Sequence, residues 1–126
     1  MSISGGYIAT AICCFAFAGA AFAAEVAIPD GPEVTAQSGQ AVVIYGQRGR
    51  NCRTVPSFES LVERKDFTTL EPKNGTLFDA GTGKRRSRSC RRRVPVRAIG
   101  YKPNPGFTGT DQVIFWNQDV VIIHVK

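Results

Sequence analysis

The stretch GYKPNPGFTGTDQVIFWNQDVVIIHV, residues 100–125, contains two short turn-forming segments that separate runs of apolar residues. In the middle run, Val113 and Phe115 alternate with Ile114 and Trp116, and the final run VVIIHV repeats this alternation. A period of two is typical of strands that bury one face. The segments PNPGFTG and NQD are rich in residues that favour turns. The stretch therefore predicts three consecutive strands, of which the last two form a hairpin.

The preceding residues repeat the pattern of short strands and turns. VTAQSGQAVVIYG, residues 34–46, has two β-like runs about a Ser38-Gly39 turn. FTTLE and TLFDA are separated by PKNG, whose Asn74-Gly75 pair suits a tight hairpin. Turns that recur about every ten residues, without a long amphipathic helix, favour an all-β sandwich of about seven short strands.

Two segments allow alternative interpretations. In SFESLVERKD, residues 57–66, Ser60 and Glu63 have the spacing of a helix capping box, which favours one or two helical turns. An irregular edge strand is an equally good interpretation of this segment. GTGKRRSRSCRRRVP, residues 81–95, is expected to be a loop or a frayed hairpin because its like charges repel one another.

The N-terminus has the features of a secretory signal peptide. No charged residue lies between Tyr7 and Ala23, and Ala21-Phe22-Ala23 places small residues at the two positions that a signal peptidase recognises. We expect cleavage near Ala23, so that residues 24–126 form a single mature domain. This domain is expected to be periplasmic or secreted and to have no transmembrane segment.

The cysteines divide into two pairs. Cys13 and Cys14 lie within the predicted signal peptide, which leaves Cys52 and Cys90 in the mature domain. An even number of cysteines in an exported protein favours a disulfide. In the chain-entropy model a bridge between these residues is worth about 4 kcal/mol. A zinc site is not expected, because one histidine and two cysteines do not supply four ligands.

The positive charge of the protein is concentrated in KRRSRSCRRR, residues 84–93. The net charge is +6, and this segment alone carries seven basic side chains, so the rest of the chain is slightly acidic. Because a Cys52–Cys90 bridge would bring a second basic segment beside the first, we expect one anion-binding patch. Its members are Arg48, Arg50, Arg53, Lys84, Arg85, Arg86, Arg88, Arg91, Arg92 and Arg93.

Two interpretations of this basic run remain open. The first is a solvated loop without a ligand. The second is a surface for an anionic envelope polymer, acidic glycan, extracellular nucleic acid or lipid headgroup, since each basic residue held near an anionic surface contributes about 1 kcal/mol. Nuclear import conflicts with a signal peptide. Sequence-specific nucleic-acid binding is not expected, because residues 84–97 contain no aromatic side chain for base stacking.

The segments PKNGTLF and GYKPNPGFTGTDQ together resemble the immunoglobulin-like and cadherin-like repeat domains of bacterial surface and exported proteins. The shared pattern is P-x-x-G-T followed later by Y-x-P-x-x-G-F-x-G-x-D. It is matched by Pro72, Gly75, Thr76, Tyr101, Pro103, Gly106, Phe107, Gly109 and Asp111. The resemblance implies an immunoglobulin-like β-sandwich that serves display, adhesion or binding and has no catalytic activity. Such domains usually occur in long arrays without a cysteine pair, whereas this chain has one copy.

Elementary chemistry explains why such a motif would form a corner between strands. Tyr101 and Phe107 can anchor the corner in the core, and Gly106 and Gly109 can adopt turn angles that other residues avoid. Asp111 can accept backbone N–H groups and so fix the start of the next strand.

Catalytic and metal-binding patterns are weak. His124 is the only histidine and lies in the last predicted strand. GTGK lacks the preceding glycine and the following Ser or Thr of a phosphate-binding loop. Asp111 and Asp119 fall short of the six or so oxygen ligands that Ca²⁺ needs, so turn capping is the favoured role. We therefore expect no enzyme activity, no metal and no cofactor.

The sequence thus favours a non-catalytic exported module that binds an anionic polymer or membrane surface. The alternative is a secreted or periplasmic inhibitor, or a stress-response protein, that docks on another protein. A net charge of +6 disfavours basic hydrolases such as lysozyme as its target.

Overall fold

Two β-sheets form the framework of the protein. The structure is a computed structural model that describes residues 24–64 and 67–126. Its strands are β1 Glu33–Ala36, β2 Val42–Arg48, β3 Thr68–Leu70, β4 Gly75–Ser87, β5 Arg92–Pro103, β6 Gly109–Phe115 and β7 Val120–Val125. The predicted all-β sandwich of about seven strands is confirmed.

The seven strands divide between a four-stranded and a three-stranded sheet. One sheet has the order β1-β7-β6-β3 and the other has the order β2-β5-β4. β1 runs parallel to β7, whereas the remaining pairs are antiparallel. The sheets share an apolar core in which Tyr45 of β2 stacks on Phe115 of β6, with 4.0 Å between ring centroids.

The β6–β7 hairpin has the predicted alternation of buried and exposed residues. Val113 and Phe115 are fully buried and Trp116 is exposed. The turn is closed by two bonds: the Phe115 N–H donates to the Asp119 carbonyl over 2.9 Å, and the Gln118 N–H donates to the Phe115 carbonyl over 2.8 Å. The predicted corner before β6 is also present, since the Phe107 N–H donates to the Asn104 carbonyl. Gly106 and Gly109 have φ values of 81° and 132° there, which L-residues rarely adopt.

The predicted hairpin at Asn74-Gly75 is wrong. β3 pairs with β6, while β4 pairs with β5, so PKNG carries the chain from one sheet to the other. The Asn74 carbonyl accepts the Asn104 N–H over 2.8 Å, which joins this turn to the corner before β6. Local turn chemistry predicted that the chain reverses here, but it did not determine which strand would pair with β4.

The arginine-rich segment forms a regular hairpin and not a loop. The pairing of β4 with β5 extends to Ser87 and Arg92, at the tip of the hairpin. The Arg91 N–H closes the tip by donating to the Arg88 carbonyl over 3.2 Å. Val94 and Val96 of β5 are fully buried. The repulsion between the arginines was expected to fray this hairpin. The burial of the two valines and the disulfide at the tip oppose that repulsion.

Residues 57–64 contain the helix α1, Phe58–Glu63. The helical interpretation is therefore right and the edge-strand alternative is wrong. The cap differs from the predicted one: Ser57 is the N-cap, and its side chain accepts the Ser60 N–H over 3.1 Å. Leu61 anchors α1 in the core.

The N-terminal lead lies against the three-stranded sheet. The Val26 N–H donates to the Thr82 carbonyl of β4 over 2.9 Å. A Cβ atom at Gly83 would lie 2.6 Å from the Val26 carbonyl oxygen and 2.9 Å from the Ile28 side chain. Glycine at this position therefore permits the close approach of the lead to β4.

The predicted disulfide joins Cys52 to Cys90, with 5.9 Å between the Cα atoms. No helix in the described part of the chain is long and apolar enough to cross a membrane. The predicted signal peptide, residues 1–23, lies outside the described residues.

Candidate anion-binding groove

A groove of about 910 Å³ lies beside the disulfide. Its walls come from the end of β2 and the following loop, the helix α1, the tip of the β4–β5 hairpin and the β6–β7 turn. We call it the arginine groove. The arginines that line it are Arg48, Arg50, Arg64, Arg85, Arg86 and Arg88.

The arginine groove contains no acidic lining residue among the described part of the chain. The ion pairs Arg97–Asp79 and His124–Glu33 lie outside the groove, and Arg48, Arg50, Arg85, Arg86 and Arg88 form no ion pair with another described residue. Among the described residues, no carboxylate of the groove wall offsets the mutual repulsion of these five arginines. Such a surface attracts anions.

Arg48 is held in place at the disulfide. Its guanidinium donates to the Ser89 hydroxyl over 3.0 Å and lies 2.9 Å from the sulfur of Cys90. The Cys90 N–H in turn donates to the Ser87 hydroxyl over 3.2 Å. The disulfide thus fixes the hairpin tip next to the end of β2, and Arg48 is ordered before any ligand binds.

Arg85 is the second ordered arginine. Its guanidinium carbon lies 5.3 Å from the centroid of the Tyr45 ring, which is a cation–π distance. Its Nε atom is buried and has no hydrogen-bond partner among the described residues. A buried donor without an acceptor lowers the free energy of unfolding by about 1–3 kcal/mol. The arginine at this position therefore destabilises the free protein.

Tyr45 is itself fixed by the β6–β7 turn. Its hydroxyl donates to an Asp119 carboxylate oxygen and accepts from the Asn117 side-chain amide over 3.1 Å. Burial raises the pKa of the Tyr45 hydroxyl above its usual value, and the bond to Asp119 adds to this shift. The ring therefore stays neutral and in place under Arg85 at physiological pH. Turn capping, the predicted role of Asp119, falls instead to Asn117, whose side-chain oxygen accepts the Asp119 N–H over 3.3 Å. The Asp119 carboxylate bonds the Tyr45 and Asn117 side chains.

Trp116 also lines the arginine groove, although no sequence pattern connects it with the arginines. The residue is 53% exposed, although the residue before it, Phe115, is fully buried. The Trp116 N–H donates to the Phe67 carbonyl over 3.1 Å, which fixes the backbone at the groove wall. Strand alternation predicted that the indole points outward, but only the packing of the two sheets places it in the same groove as residues 85–88.

Of the ten predicted patch residues, five line the arginine groove. These are Arg48, Arg50, Arg85, Arg86 and Arg88. The other five lie outside it; they are Arg53, Lys84, Arg91, Arg92 and Arg93. Arg92 and Arg93 are consecutive in β5, so they point to opposite faces of the hairpin. The structure therefore does not gather all ten residues on one surface.

The residues of the family motif form a separate structural cluster around Asp111. Tyr101 and Pro103 are fully buried, and the Tyr101 hydroxyl donates to Asp111 over 2.8 Å. Asp111 also accepts the backbone N–H groups of Lys73 and Asn74 over 2.9 and 2.8 Å. The predicted role of Asp111 as an acceptor for backbone N–H groups is confirmed, although two of its donors precede it by more than 35 residues. None of the motif residues lines the arginine groove.

His124, the histidine of the last strand, forms a surface contact. His124 contacts Glu33 over 2.8 Å on the exposed surface. Among the described residues, no three His, Cys, Asp or Glu side chains are grouped to hold a metal ion.

Comparison with known proteins identifies no relative. No family model matches the chain, no curated protein does, and no solved structure does.

Proposed function

We propose that this protein is a non-catalytic exported module with an immunoglobulin-like fold that binds an anionic polymer or anionic membrane surface through the arginine groove. The observation that carries the proposal is the charge of the groove wall. Arg48, Arg50, Arg85, Arg86 and Arg88 line one concavity, and none of its lining residues in the described part of the chain is acidic. Folded proteins normally intersperse the two signs of charge on their surface. A one-sign concavity favours a ligand of opposite charge.

The geometry of the arginines supports recognition of phosphate, sulfate or carboxylate groups. A guanidinium presents its donors in a planar fork that matches these groups in pairs. Ser89 orders Arg48, and Tyr45 orders Arg85. Binding of a ligand therefore costs less side-chain entropy at these two arginines. Arg50, Arg86 and Arg88 are exposed and free to follow a ligand along the groove.

The immunoglobulin-like family and the exported location are part of the same proposal. They are supported by the motif around Tyr101 and Asp111, by the predicted leader and by the disulfide, which is compatible with an oxidising compartment. A binding role agrees with the motif family, whose members serve display and adhesion.

The test is binding to heparin, lipopolysaccharide and anionic phospholipid vesicles over a series of salt concentrations. We expect binding to at least one of them at low salt and a steep loss of affinity as salt rises, because each neutralised anionic group releases a counterion. A triple groove variant removes only exposed arginines. Its substitutions are Arg50→Ser, Arg86→Ser and Arg88→Ser.

The matched control removes the same number of charges outside the groove. Its substitutions are Arg91→Ser, Arg92→Ser and Arg93→Ser. Both variants have the same net charge, so a larger loss of affinity in the groove variant assigns binding to the groove. Equal losses would reduce the effect to overall charge, and absence of binding by the unaltered protein would reject the proposal. Recovery of a single protein partner from envelope extracts, without polymer or lipid, would favour the inhibitor alternative.

A further inference from the structure

We infer that the arginine groove binds single-stranded nucleic acid without sequence preference, with a base stacked on Trp116 and the adjoining phosphates bound by the arginines. This inference rests on the proposed function, because it names the class of anionic polymer. The inference differs from the proposed function because it requires a ligand that carries flat aromatic rings as well as charge.

The exposure of Trp116 is the first observation. Trp116 is 53% exposed on the wall of a groove whose other described aromatic lining residue, Tyr45, is buried beneath Arg85. Leaving a large aromatic surface in water costs free energy, and a stacked base would cover it. Proteins that bind single strands combine a basic groove with aromatic side chains on which bases stack. The arginine groove has both components.

The polar groups of the groove wall explain why sequence would not be read. Both polar atoms of the Asn117 side chain already form hydrogen bonds. Its amide nitrogen donates to Tyr45 and Asp119, and its oxygen accepts the Asp119 N–H. The oxygen of Asn51 accepts from the N–H groups of Arg53 and Thr54. The Asn117 amide and the Asn51 oxygen are therefore not free to read base edges. Stacking and phosphate contacts then contribute most of the binding, and neither depends strongly on the base.

The bonded Asn117 amide is not available to sugar hydroxyls, and a comparison of oligothymidylate with heparin tests an acidic glycan as the alternative ligand. Double-stranded nucleic acid is disfavoured, because its bases are stacked on one another and do not present a free face to an indole. A single strand leaves both the base faces and the phosphates accessible.

The experiment uses the protein's single tryptophan as its own reporter. The purified protein is titrated with oligothymidylate, with heparin and with inorganic polyphosphate at low salt, while the indole fluorescence is recorded. We expect oligothymidylate to quench the fluorescence at saturation, because a stacked base contacts the indole directly. Heparin and polyphosphate supply charge without flat rings and are expected to leave the signal nearly unchanged.

Substitution of the indole gives the second readout. Trp116→Leu should weaken binding of oligothymidylate on the order of 10-fold, measured with a labelled oligonucleotide, and leave heparin affinity unchanged. Trp116→Phe, which keeps an aromatic face, should restore part of the affinity. The fluorescence titration needs no variant, so it tests the inference even if a variant folds poorly.

The outcomes separate this inference from the proposed function. If oligothymidylate binds without quenching, or if Trp116→Leu binds it as tightly as the unaltered protein, the inference is rejected while polyanion binding stands. A duplex that binds more tightly than the single strand would also reject it. If no polyanion binds at all, both the inference and the proposed function fail.

Discussion

At Asp111, one buried carboxylate joins three segments that are distant in the chain. It is 5% exposed and accepts hydrogen bonds from the PKNG turn, from Tyr101 and from its own neighbour Gln112. Burial by itself would raise the pKa of the Asp111 carboxyl, but these hydrogen bonds outweigh burial and hold the pKa below its usual value. Burial, and then the bond to Asp111, raise the pKa of the Tyr101 hydroxyl well above its usual value. The pair therefore consists of an ionised carboxylate and a neutral phenol at physiological pH.

The lowered pKa of Asp111 predicts a loss of stability in acid. The folded state stabilises the ionised form of Asp111. In the unfolded state the aspartate has its ordinary pKa of about 3.9. This contribution is present above that pH and is lost as the pH falls through the lower folded-state pKa. The free energy of unfolding, measured by urea denaturation between neutral pH and about pH 2, should decrease over this window.

The variant Asp111→Asn provides the control for this acid dependence. It should be less stable at neutral pH by about 1–3 kcal/mol and should lose less stability on acidification than the unaltered protein. The same acid dependence in both proteins would show that other carboxylates are responsible.

At the scale of elements, the β4–β5 hairpin carries most of the arginines and is unfavourable by charge alone. Arg86 and Arg93 are directly opposite one another in the pairing register, and like charges at such positions destabilise a strand pair. Two features oppose this repulsion: the burial of Val94 and Val96 and the link from Cys90 to Cys52. The disulfide thus stabilises the hairpin tip and one wall of the arginine groove together.

Removal of the disulfide is expected to destabilise the protein by about 4 kcal/mol. For a domain of about 100 residues, this corresponds to a fall in melting temperature on the order of 15–30 °C. Thermal melts of Cys52→Ser, and of the unaltered protein with and without reductant, measure it. Amide exchange should also accelerate at the end of β4 and the start of β5, where the repulsion is no longer opposed.

The double variant Cys52→Ser/Cys90→Ser is the control for this prediction, because reductant should not change its melting temperature. Equal melting temperatures of the oxidised and reduced unaltered protein would contradict the prediction.

At the scale of the whole molecule, the charge is unevenly distributed. The net charge is +6, and one groove contains Arg48, Arg50, Arg85, Arg86 and Arg88 with no acidic residue among its described lining residues. Their repulsion lowers the stability of the compact state. A polyanion that binds only the folded state would relieve it and raise the melting temperature.

Salt should therefore act in opposite directions on stability and on binding. Because the Debye length falls from about 30 Å at 0.01 M to about 10 Å at 0.1 M salt, added NaCl screens the repulsion in the groove. We expect the melting temperature of the free protein to rise over this range while its affinity for heparin falls. The triple variant Arg50→Ser/Arg86→Ser/Arg88→Ser should show a smaller rise, and a melting temperature that is insensitive to salt in the unaltered protein would contradict this account.

Local sequence patterns determined the strands and turns of this protein. The alternation around Val113 and Phe115, the turn at Gly106 and the pairing of Cys52 with Cys90 could be predicted because neighbouring residues, or a count of two cysteines, decide them. Tertiary structure decided the partners. β3 and β4 joined different sheets because cross-strand packing, and not the intervening Asn74-Gly75 turn, selects which strands pair. Trp116 came to line the same groove as Arg85 and Arg86 for the same reason. The relative position of side chains on different sheets is set by the packing of the core and is not encoded in any local pattern.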